Sequence, residues 1–139
     1  MAYATQQNLV DRFGEGELLD LTDRDNQGEV DVDAVATALT DATDTIDSYL
    51  SSRYTLPLDP TPGIVARVCS DIARYYLYED RVTEQVAERY KAAIAWLRDI
   101  QAGKANLDAD PAGLTPSTSS APVVDAPDRV FTTETLKDY

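Results

Sequence analysis

Carboxylates on alternate residues ahead of a helix can converge on one cation, and one stretch of this chain carries them. Asp23, Asp25, Gln27, Gly28, Val30 and Asp31 fall at positions 1, 3, 5, 6, 8 and 9 of a calcium-binding helix–loop–helix pattern. Glycine at the sixth position would supply the sharp turn. Position 12, however, needs a bidentate glutamate and holds Ala34. Two ligand oxygens and one charge are therefore missing, and Gln27 brings a neutral ligand where Asp or Asn is usual. The competing reading is a polar turn that ends in an acidic helix start, where Asp31 and Asp33 meet the positive end of the helix dipole. That reading needs no ion, and no metal or other cofactor is expected.

Other chemistry-bearing residues lead to equally plain expectations. Asp41, Asp44 and Asp47 recur at i, i+3, i+6. Paired carboxylates can act as acid and base, but an apolar pocket must raise one pKa, and none is visible around these three; they read as a solvated helix face. The chain has no histidine, which removes Ser-His and Cys-His nucleophile systems and imidazole metal ligands. Its single cysteine, Cys69, sits in the apolar run IVARVCSDIARYY and reads as a small core residue. Tyr49, Tyr54, Tyr75, Tyr76, Tyr78 and Tyr90 lie near Arg53, Arg67, Arg74, Arg81 and Arg89. Such a set serves base stacking, a core periphery with wet hydroxyls, or a protein–protein interface. Arg53, Tyr54, Arg74 and Tyr78 are the residues singled out for the interface reading. No enzyme is expected.

Those residues are positioned by helices. The organising stretch runs from Val30 to Pro57. Val32, Val35, Leu39, Ala42, Ile46, Tyr49 and, through its stem, Arg53 alternate at spacings of three and four, the mark of one buried helical stripe. The pattern predicts a central helix of about 25 residues, ended near Tyr54 because Pro57 cannot continue it. Before it, Thr5 caps a helix with Leu9, Val10 and Phe13, Gly14 closes that helix, and Glu15–Leu21 forms a second. After it, TLPLDPTPG is too proline-rich for helix or central strand, and Leu56 and Leu58 pin the turn. Pro62 opens a helix with Ile64, Val65, Val68, Ile72, Tyr75 and Tyr76 on one face. Thr83 caps the last helix, which carries Val86, Tyr90, Ala93, Ile94, Leu97 and Ile100 and closes at Gly103. The expectation is an all-α fold: a small antiparallel bundle over residues 1–104, with one long central helix.

From Ala105 the composition changes. Residues 105–139 hold Pro111, Pro116, Pro122 and Pro127 among small polar residues and lack a helical period, so they read as an extended tail. Val130, Phe131, Leu136 and Tyr139 near its end read either as a docking patch or as incidental apolar residues of a frayed end.

The 139 residues carry 25 acids and 12 bases, a net charge of -13, which argues against gripping nucleic acid. The charge is uneven: residues 1–50 hold 12 acids and 2 bases, whereas 51–104 hold 7 and 8. No stretch approaches 18 apolar residues and MAYATQQNLVDRFG has no signal-peptide character, so neither a membrane span nor export is expected.

Taken together, MAYATQQNLVDRFGEGELLDLTDRD, ALTDATDTIDSYLSSRYTLPL, the ARVCSDIARYYLY helix and ERYKAAIAWLRDIQAGKANL resemble the Mu-like bacteriophage neck protein family. The likeness covers residues 1 to about 107 and the closing TLKDY. It implies a structural virion protein at the head–tail junction, assembled in the host cytoplasm and similar to the α-helical connector adaptors. It implies twelve copies in a ring below the portal protein, touching the next neck or tail component, with a channel through which DNA passes unbound. The tail would reach the portal or a neighbouring subunit. A stopper or completion protein at the same junction is the rival position, and a calcium-binding regulatory module the rival class.

Overall fold

The computed structural model describes residues 2–78 and 81–107. They form five helices: α1 (Gln6–Phe13), α2 (Glu15–Thr22), α3 (Val32–Leu50), α4 (Gly63–Leu77) and α5 (Glu84–Gln101). No strand occurs among the described residues, so the fold is all-α. α4 packs against both α3 and α5, which also meet each other, and α1 closes over this group with α2 at its side.

The starts follow the capping residues. Thr5 accepts from the Asn8 amide while Asn8 returns a bond to the Thr5 amide, a reciprocal capping box. Asp31 accepts from the amides of Asp33 and Ala34, and Thr83 from that of Val86. Pro62 stands at the N-cap of α4 rather than inside its first turn. Gly14, at φ +92°, turns the chain from α1 directly into α2, a conformation that residues with a Cβ avoid.

α3 is 19 residues long, shorter than the spacing predicts. Val32 is 60% exposed, so the buried stripe begins at Val35 and runs through Ala38, Leu39, Ala42, Thr43, Ile46 and Leu50. Tyr49 is only partly buried, and Arg53 lies past the helix end. The pattern overran at both ends because apolar spacing does not record where packing partners stop. Leu50, fully buried, is the last stripe residue; the chain then leaves in a turn closed by the Tyr54 amide on the Leu50 carbonyl. Burying a valine, leucine or isoleucine side chain of this stripe contributes about 1.5–3 kcal/mol.

Thr43 shows how a hydroxyl is kept in this core. Its Oγ donates to the Leu39 carbonyl at 2.8 Å, accepts from the Tyr3 amide at 3.1 Å and lies 3.6 Å from the Cys69 sulfur. Tyr3 and Ala4, two residues ahead of α1, are buried at 5% and 3% exposure. Leu58 is buried and Leu56 partly so, which pins the proline-rich connection as expected. Packing continues past 104: Leu107 joins the core, and its amide donates to the Tyr54 hydroxyl at 2.7 Å.

Candidate functional site

The acidic loop between α2 and α3 is tied up by its own backbone. The Asp23 carboxylate accepts from the amides of Gln27 at 2.7 Å and Gly28 at 2.8 Å, one bond on each oxygen. Asp31 caps α3 through one oxygen, and its amide donates to the Thr22 hydroxyl at 3.1 Å. These are the bonds of an Asx-type turn and a helix cap. Among the described residues no group of three or more Asp, Glu or Cys side chains is placed to share an ion.

The carboxylates of α3 divide. Asp33, Asp41 and Asp44 are exposed. Asp47 is partly buried and accepts the Tyr3 hydroxyl at 2.5 Å, while that hydroxyl oxygen accepts from the Leu58 amide at 3.3 Å. Burial, and next the bond to Asp47, push the Tyr3 phenol up to about 12. Asp47 thus anchors the N-terminal strap and the proline-rich connection to α3.

The four residues expected at an interface each make contacts within the chain, three of them from partly exposed positions. Arg53 donates to the carbonyls of Ile100 and Ala105 and to the Asn106 side chain, and its guanidinium lies 5.6 Å from the Tyr54 ring centre. Tyr54 is 5% exposed. Arg74 sits 4.2 Å over the Phe13 ring and reaches one Glu17 oxygen at 2.7 Å; Tyr78 donates to that same oxygen at 2.7 Å. Burial, with Glu17 adding to it, raises the Tyr78 phenol. The first pair closes the end of α5, and the second clamps α2 to α4. The other residues marked for partner contact, Val130, Phe131, Leu136 and Tyr139, lie outside the described residues.

Of the remaining tyrosines, Tyr75 and Tyr90 stack at 3.9 Å between ring centres, with Tyr76 against both. Burial raises the Tyr90 phenol. The cluster joins α4 to α5 and accounts for the tyrosine-rich spacing as core periphery. Cys69 is fully buried, as expected, and burial pushes its thiol up.

The arrangement that sequence reasoning missed is a cleft of about 400 Å³ between α1, α4 and α5. Phe13, Ile64, Val68, Ala93 and Trp96 supply apolar walls, while Arg12, Arg67 and Arg89 stand around Asp71. Asp71 is 9% exposed, with Arg89 at 4.0 Å. Burial raises its carboxyl despite the opposing pull of Arg89, Arg67 and Arg12. In a chain of net charge -13 this is a local cationic surface. A signal was there: Arg67 and Asp71 are four apart, and Arg89, Ala93 and Trp96 fall at i, i+4, i+7. Each is a mixed face, and only the packing brings the faces together.

The comparisons with known proteins point one way. The sequence profile described as "Bacteriophage Mu, Gp36" matches residues 3–126. The chain is 36% identical over 105 residues to the Mu-like prophage FluMu protein gp36 of Haemophilus influenzae, across 76% of this chain and 74% of that protein. It is 40% identical over 106 residues to gene product J of Escherichia phage Mu, across 75% of this chain and 74% of that protein.

Proposed function

This chain belongs to the bacteriophage Mu Gp36 family, and from that premise we propose that it is a structural protein of the virion neck. In this reading it is a head–tail connector subunit, twelve copies of which form a ring below the portal protein. The ring also meets the next neck or tail component and leaves a channel for DNA. The observation that carries the reading is the extent of the family match. It runs from residue 3 to 126, through the whole helical domain and on into the proline-rich segment. The described helices support it. Several polar side chains are engaged in caps, clamps and the core, and the exposed acids Asp33, Asp41 and Asp44 form a face suited to a channel that repels phosphate. A particle in which that face is buried against another protein would remove the channel assignment.

The experiment is a truncation. A chain lacking residues 108–139 keeps Leu107 and the Arg53 bonds, so its helical circular dichroism should match that of the full chain. In the proposed role the truncated protein fails to join assembling particles or to form a stable complex with the portal. Normal occupancy of the truncated protein would overturn the docking role of the tail.

A further inference from the structure

We propose that the cationic cleft between α1, α4 and α5 is the docking site of this chain's own C-terminal segment, residues 128–139. The proposal concerns the free subunit and does not depend on the neck assignment.

The first argument is charge. Three arginines face one aspartate in the cleft, and among the described residues Arg12 and Arg67 make no ion pair. Residues 128–139 hold three acids, Asp128, Glu134 and Asp138, against two bases, Arg129 and Lys137, a net charge of -1. Asp128, Glu134 and Asp138 are interleaved with Val130, Phe131 and Leu136, so the segment presents apolar anchors and carboxylates together. The cleft offers the matching pair: Ile64, 40% exposed, and the partly buried Trp96 and Phe13 form walls beneath the arginines. Its volume lies within the range of natural binding pockets, where a buried aromatic anchor contributes most.

The second argument is reach, and it selects the same chain over a second copy. Leu107 is fixed in the core, so 108–127 is the connection. Twenty residues span between roughly 25 Å as a coil and about 60 Å as an extended proline-rich chain. A domain of this size has a radius of gyration of about 13 Å, hence a breadth of roughly 30 Å. A tether that matches the distance it must cross gives an effective concentration in the millimolar range, above that of any free second copy. Docked in this way, the segment also covers an exposed apolar surface that would otherwise favour open-ended association.

Trp96 is the single tryptophan and lines the cleft, so it reports occupancy directly in the full chain. The measurement is its emission maximum and acrylamide quenching in the wild-type chain and in Phe131→Ala/Leu136→Ala, each over a dilution series. The expected result is a shielded Trp96 in the wild type at every dilution, with a red shift and faster quenching in the tail variant. Arg67→Glu/Arg89→Glu, both at exposed positions, should reproduce that loss. Roughly 1 M salt, where the Debye length is about 3 Å, should move the wild type towards the variants. An unchanged Trp96 in the tail variant overturns the proposal. So does shielding that disappears on dilution together with a fall in mass, which would assign the cleft to a second copy's tail.

Discussion

Replacing Arg53 by methionine separates a structural strap from a partner contact. The stem remains, but three hydrogen bonds from the guanidinium are lost, to the carbonyls of Ile100 and Ala105 and to the Asn106 side chain at 2.9 Å. The charge also stands at the end of α5, where a cation is favoured by about 0.3–1 kcal/mol. A bond from a charged donor is worth about 1.5–3 kcal/mol when well buried. Arg53 is only partly buried and Asn106 is exposed, so water will recover part of that. The sum expected is a loss of about 2–3 kcal/mol, which in a domain of this size lowers Tm by roughly 10–20 °C. Arg53→Lys keeps the charge and loses the fork, and should cost about half as much. Urea unfolding followed by circular dichroism measures both. A cycle with Leu107→Ala should show coupling of at least about 0.5 kcal/mol, because Arg53 holds the segment that delivers Leu107 to the core. If Arg53→Met changes stability by less than about 0.5 kcal/mol while partner binding is lost, the strap reasoning fails and Arg53 is an interface residue.

The remaining predictions concern titration and metal. Because the Tyr3 phenol stands at about 12 in the folded chain, above its ordinary 10, its contribution is whole below pH 10 and is lost as pH rises through 12; Tyr3→Phe should flatten alkaline unfolding in that window. Asp71 has its carboxyl raised by burial, so the folded state favours its protonated form, and the stability this brings fades as pH rises above the ordinary carboxylate range. Asp71→Asn should therefore raise Tm at pH 7 and converge with the wild type in acid. Calcium followed by chelator should leave Tm unchanged, since a ligand at 100 times its dissociation constant would add about 2.7 kcal/mol; a rise of that size would reinstate the Asp23–Asp31 loop as a metal site.

Helix existence and most caps were legible because the physics is local. Thr5, Asp31 and Thr83 were each followed by a helix, and each accepts an amide of the first turn. The ends of α3 were less legible: Val32 continues the spacing but stands 60% exposed. Tyr3 gave no periodic signal, since an extended residue ahead of a cap has no neighbours at helical spacing; its burial depends on Thr43, Asp47 and Leu58, all 40 or more residues away. The cleft has the same cause, with one arginine on each of three helices. Arg53, Tyr54, Arg74 and Tyr78 also make polar contacts within the chain, and these depend on Ile100, Asn106, Leu107 and Glu17, far away in sequence. Sequence pattern identifies which residues make specific polar contacts more readily than it identifies the partner.

The neck assignment is tested most directly by an image of the assembled particle in which this chain carries a visible label. Label is expected only at the head–tail junction, in a ring around an open channel, into which the five-helix domain fits with Asp33, Asp41 and Asp44 towards the lumen. Label spread over the head shell or along the tail, or missing from the particle, would contradict it.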